Sequence, residues 1–161
     1  LQLARQIIHG TGRRPVAGKS RTTSFVIPTP GPVEQGIRTI LQKRLTPNLR
    51  PHYGGETFAG GFRLEPDLVF GHQLAVGDVK YRLLDNQKWD RGHVFQLCTY
   101  AAAWKVERAV LIGFRNQTTP PEDLRLGAHH LREISWTADP DSAADLQAER
   151  LTEQVSEFLQ E

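Results

Sequence analysis

The sequence predicts an α/β domain, and three observations predict it. Helical periodicity in VEQGIRTILQKRL, apolar strand-like runs in LEPDLVFGHQLAVGDVKY and RAVLIGF, and an amphipathic C-terminal stretch alternate along the chain. With 161 residues the chain is long enough for one well-formed core. No apolar run approaches the roughly 18 residues that span a membrane, so no membrane partner is expected. Cys98 is the only cysteine, which excludes disulfides, cysteine zinc sites and iron–sulfur clusters within one chain and suits a reducing cytoplasm. The absence of Met, even at position 1, suits a domain cut from something longer.

In order, LQLARQII reads as a short helix and TTSFVI as a strand, with a basic, Gly-rich loop between them. That loop, GTGRRPVAGKS, ends like a phosphate-binding loop but lacks the required spacing between its glycines. PTPGP (28–32) reads as a break. Val33, Ile37, Ile40, Leu41 and Leu45 then share one helical face, and Arg50–Phe62 holds at most one strand. PDLVF and QLAVGDVKYRLL are strands around a turn at Gly71-His72, and Asp90 is placed to cap a helix running to about Lys105. RAVLIGF and HLREISW are two more strands, and a helix closes the chain from about Ser142 to Leu159.

Charge is unevenly distributed. Residues 1–63 carry ten Lys/Arg against Glu34 and Glu56, a net of +8, whereas residues 122–161 carry a net of −7. A basic front half suits a polyanion such as nucleic acid, with Arg13, Arg14, Lys19, Lys43 and Arg44 as candidate phosphate contacts.

The chemistry concentrates in residues 64–81. Alternation along a strand puts Val76, Asp78, Lys80 and Arg82 on one face, free to present Asp78 and Lys80 while the other face meets the core. A two-residue turn at Gly71-His72 sets Asp67 diagonal to Asp78 on that face; a turn two residues longer sets them directly opposite. Two adjacent carboxylates repel unless a cation sits between them or one is protonated. An all-oxygen pair suits a hard ion, Mg²⁺ or Mn²⁺, and Lys80 would sit beside it.

Pro66-Asp67 followed by Asp78-Val79-Lys80 resembles the PD-(D/E)xK nuclease superfamily. Gln96-Leu97-Cys98-Thr99-Tyr100 matches the Q-x-x-x-Y element of its RecB-like branch, and the wording of the core looks most like the McrC nuclease domain. The resemblance covers about residues 33–160, and only some thirty residues, a basic extension over 1–30, precede the implied nuclease domain at 31–161. It implies a restriction-endonuclease-like core, a central mixed sheet flanked by helices in the order αβββαβ. It implies a metal site of Asp67, Asp78, the Val79 backbone carbonyl and Glu34, with Lys80, Gln96 and Tyr100 completing the catalytic set. It further implies DNA as substrate, hydrolysis to a 3′-hydroxyl and a 5′-phosphate, and a GTPase or AAA+ motor partner. A second copy would serve double-strand cleavage. Glu65 falls on the same face as Asp67 and is a further possible ligand or structural acid. A DNA-binding or scaffolding module that keeps this fold without cleavage is the alternative.

Overall fold

The computed structural model describes residues 30–84, 87–116, 119–137 and 143–161. The helix and strand expected upstream of Pro28, and with them Arg13, Arg14 and Lys19, lie outside the described residues.

Helix α1 spans Pro30–Arg44 and begins inside PTPGP, which was expected to break the chain. The correction has a simple cause. A proline in the first helical turn gives up an N–H that would have no intrahelical partner anyway. The helix buries Ile37 and Leu41, with Val33 alongside.

Two short strands, β1 (Pro51–His52) and β2 (Glu56–Thr57), lead to β3 (Arg63–Leu64), which pairs only with β2. Next come β4 (Leu68–Phe70), β5 (Ala75–Leu83), α2 (Arg91–Trp104) and β6 (Arg108–Arg115). The chain closes with β7 (Leu124–Leu126), β8 (His129–Thr137) and α3 (Ala144–Gln160). The main sheet has the order β1-β4-β5-β6-β8-β7. It is mixed: β5, β6 and β8 run parallel, and the other pairings are antiparallel. The parallel pair β5/β6 needs a crossover, and α2 supplies it.

Both faces of the sheet are covered. On one, α1 and α3 pack against Leu68, Phe70, Ala75, Val79, Val110, Ile112 and Ile134. On the other, α2 packs against Val69, Val76, Ala109, Leu111 and Leu131. The face carrying Asp78 and Lys80 is therefore not an open one; α2 roofs it. This is the expected restriction-endonuclease-like arrangement, a central mixed sheet flanked by helices.

Between Val79 and Leu83 the pairing of β5 with β6 slips. Val79 pairs with Ile112 and Leu83 with Phe114, so β5 holds two residues more than its partner there. The irregularity starts immediately after the D-x-K triplet, a common place for a bulge to re-aim side chains.

Candidate metal centre

The register of β4 and β5 brings the two aspartates together. Leu68 pairs with Gly77, Val69 with Val76 and Phe70 with Ala75, and continuing the ladder by one step sets Asp67 opposite Asp78. The turn is thus the longer of the two, Gly71–Leu74, with Gly71 and Gln73 at positive φ.

Asp67 Oδ2 accepts the Val79 N–H at 2.8 Å, and the Asp67 carbonyl accepts Arg38 Nε at 3.1 Å. Burial pushes the Asp67 carboxyl up to about 7, the charges of Asp78 and Glu34 push the same way, and the Val79 N–H and Lys80 oppose them. Asp78 is 4% exposed and its carboxyl is also raised by burial, held back by the Lys80 ammonium. Lys80 Nζ lies 2.6 Å from Asp78 Oδ2, a close ion pair.

From Lys80 a chain of contacts runs across to α2. Lys80 Nζ donates to Gln96 Oε1 at 3.0 Å, Gln96 Nε2 donates to Tyr100 Oη at 3.0 Å, and Tyr100 Oη reaches the Glu65 carbonyl at 3.4 Å. Helical spacing of four sets Gln96 and Tyr100 on one face. Asp90, the N-cap, fixes where that helix starts by accepting from the Gly92 and His93 amides.

Other expected residues sit differently. Glu34 is half-buried on α1, one turn before Arg38, and acts on Asp67 through its charge. With Asp67 and Asp78 it does not form a set of ligand atoms within 4.8 Å of one another. The Glu65 carboxylate turns to Arg63 Nη2 at 2.6 Å, so it is engaged away from the two aspartates. Lys43 and Arg44 lie about nine residues beyond Glu34, roughly 14 Å further along α1, where Arg44 pairs with Asp145 at 3.0 Å.

Sequence reasoning passed over His93. It is buried on α2, three residues before Gln96 and so on the same face, and its Nε2 lies 3.1 Å from Arg82 Nη2. Burial holds its pKa below the ordinary value. The H-x-x-Q spacing was the available signal.

Among the described residues, the group that does bring three ligand atoms within 4.8 Å is Asp123, His130 and Glu161. Arg132 already occupies it, donating to Asp123 at 2.6 Å and to Glu161 at 2.7 Å, so a guanidinium neutralises both acids. The pair on β4 and β5 is chemically different. Two carboxylates face one another in a site that disfavours their charge, and a single ammonium, that of Lys80, lies against one of them. A hard divalent ion with oxygen ligands fits that donor set.

The family model of the McrBC 5-methylcytosine restriction system component matches residues 1–112 of the 161. The chain belongs to the McrBC family. The McrBC match includes Asp67, Asp78, Lys80, Gln96 and Tyr100, and it ends within β6. A chain of the Thermococcus gammatolerans assembly of McrB AAA+ hexamers with bound McrC shares the fold, with a TM-score of 0.69 at 17% identity. The alignment covers 83% of this McrBC chain and 34% of that one, so the present chain spans about a third of the solved chain's length. No curated protein sequence matches it. Among the described residues no helix is long and apolar enough to cross a membrane.

Proposed function

We propose that this chain is a divalent-metal-dependent DNA endonuclease of the PD-(D/E)xK type, the cleaving domain of a McrBC-type modification-dependent restriction system. The observation that carries the reading is the opposed pair Asp67 and Asp78, with Lys80 beside Asp78 and tied to Gln96.

Asp67 and Asp78 would hold Mg²⁺ or Mn²⁺, with the Val79 carbonyl and Glu34 as the remaining protein donors. In an extended strand a residue's N–H and C=O point to the same side, so the Val79 carbonyl faces the same gap as the amide that meets Asp67. Such an ion polarises a phosphate and lowers the pKa of a bound water. The chain's own part is positioning. Lys80 donates to the attacking water and to the phosphate oxygen that gains charge. Gln96 holds the ammonium in place, and Tyr100 holds Gln96. Hydrolysis leaves a 3′-hydroxyl and a 5′-phosphate. The Thermococcus gammatolerans neighbour comes from an assembly with McrB AAA+ hexamers, which supports a motor partner of that class here.

The test is cleavage of plasmid and single-stranded DNA with Mg²⁺ or Mn²⁺ against EDTA, with and without an AAA+ partner, for the wild type, Asp78→Ala and Lys80→Ala. Metal-dependent cleavage lost in both variants is the expected result. Identical behaviour of all three proteins would end the nuclease reading. Calorimetric binding of Mn²⁺, abolished in Asp67→Ala and Asp78→Ala, tests the metal centre separately.

A further inference from the structure

Next to the metal centre the described residues enclose a second feature that the cleavage reading does not use. A cavity of about 160 Å³ lies where the end of β5 meets the start of α2, with Arg82, Lys88, Asp90, His93, Arg115 and Glu133 in its wall. Pockets for drug-sized ligands begin at about 300 Å³, so this one suits a small group rather than a nucleoside.

Its charges decide what kind of group. Among the described residues both acids in the wall are committed elsewhere. Glu133 accepts Arg115 Nε at 2.6 Å, and Asp90 is engaged by the amides that it caps. The N-terminus of α2 is therefore already served and adds no free anion site. Arg82 and Lys88 are left: among the described residues neither makes an ion pair, and Arg82 directs Nη2 to within 3.1 Å of His93 Nε2. Two cations at the mouth of a small polar cavity form a receptor for a tetrahedral anion.

Position ties the cavity to the metal centre. Arg82 follows Lys80 by two residues on β5, and His93 precedes Gln96 by one turn on α2. The cavity therefore lies one step along both elements from the Lys80–Gln96 contact. Two residues of strand advance about 6.6 Å, or roughly two 3.4 Å base rises of a nucleic acid strand.

We propose that this cavity is an anion subsite that takes a phosphodiester group of the bound strand, about two along from the one at the metal centre, through Arg82 and Lys88. The identity of the strand rests on the nuclease reading. The binding of the anion does not, because it requires no metal.

Metal-free protein in EDTA is titrated with inorganic phosphate and followed by NMR at the His93 ring and the Arg82 side chain. Saturable shifts at both are expected, weakened about fivefold or more in Arg82→Gln and in Lys88→Gln, and unchanged in the control Arg150→Gln on α3. A short single-stranded oligonucleotide should displace the phosphate and shift the same signals. Thermal melts confirm that the variants are folded. Absence of saturable shifts, or equal affinity in the folded variants, overturns the subsite. Phosphate binding without competition by the oligonucleotide makes it a site for free phosphate and overturns its assignment to the strand. Phosphate binding in a protein that never cleaves DNA removes the nuclease reading and leaves the anion site; cleavage without phosphate binding does the reverse.

Discussion

Gln96 on α2 accepts a 3.0 Å hydrogen bond from Lys80 on β5, and this contact joins the helix roof to the strand that carries Asp78. The ammonium is thereby held between a carboxylate and an amide instead of ranging freely on its four-carbon stem.

Removing the amide should expose that role. Gln96→Ala is expected to lower cleavage about ten- to hundredfold, the scale of one hydrogen bond to a charged group. Its effect on stability should stay near 1 kcal/mol. In a Lys80→Ala background the same change should cost almost nothing further, because both substitutions remove one interaction. Single-turnover rates of the four proteins, set beside their urea midpoints, check this; additive losses would show that Gln96 acts elsewhere.

Asp67 gives the metal-free protein a pH dependence of defined sign. Its carboxyl is pushed from 3.8 up to about 7 by burial, so between those values the folded chain keeps a proton that the unfolded chain has released. Stability in EDTA should therefore fall as pH rises through that window, with the penalty complete above about 7. The burial shift of Asp78 has the same sign. Asp67→Asn should flatten the slope and raise Tm near pH 8, by about 2–4 °C for each kcal/mol relieved. The same variant should lose Mn²⁺ binding, as expected if Asp67 is kept for the proposed metal site at a cost in stability. For the wild type, metal affinity should rise across the same window as the competing proton leaves. Melting curves and calorimetry at about pH 5 and about pH 8 read both effects.

Glu133 is a different kind of acid. It faces Arg115, which is fully buried, and burial raises its own carboxyl against the pull of that guanidinium. Glu133→Ala would remove this carboxylate from a buried guanidinium and should destabilise the fold by about 3 kcal/mol in urea. Replacing the pair together, Arg115→Met with Glu133→Leu, should recover most of that loss.

Gly71 sets the turn that fixes the register of the two aspartates. It has a φ of 52°, and a Cβ there would come within 2.3 Å of the Asn48 backbone oxygen. Gly71→Ala should cost about 1–3 kcal/mol from the clash and the backbone strain. Gly127 has a φ of 58° but open space around it, so Gly127→Ala should cost only the backbone term, about 1–2 kcal/mol. Urea unfolding of the two variants separates these contributions. Gly71→Ala alone should also weaken Mn²⁺ binding.

Much of the centre was legible from alternation and helical spacing. Asp67, Asp78 and Lys80 share a face because strands alternate, and Gln96 with Tyr100 follows from a period near four. Asp90 was readable as a cap. What escaped had physical reasons. The turn length could not be chosen from Gly71-His72, since both registers keep the aspartates together. Strands of two or three residues, such as β1, β2, β3 and β7, carry too little periodicity to detect. The start of α1 was hidden because prolines that block a helix interior are tolerated in its first turn. Nothing in the sequence pairs Arg115 with Glu133, and only the fold reveals that they neutralise one another inside it. The roofing of the Asp78 face by α2 likewise depended on tertiary packing.

The slipped pairing in β5 separates two kinds of part. Asp78 stands in backbone paired without interruption from Ala75 to Val79, so its carboxylate is anchored. Lys80 is the first residue of the stretch released from that ladder. A cation in the proposed site would meet carboxylates mounted on this fixed backbone. One short run of chain thus combines a carboxylate fixed by its ladder with an amine fixed by its side-chain contacts.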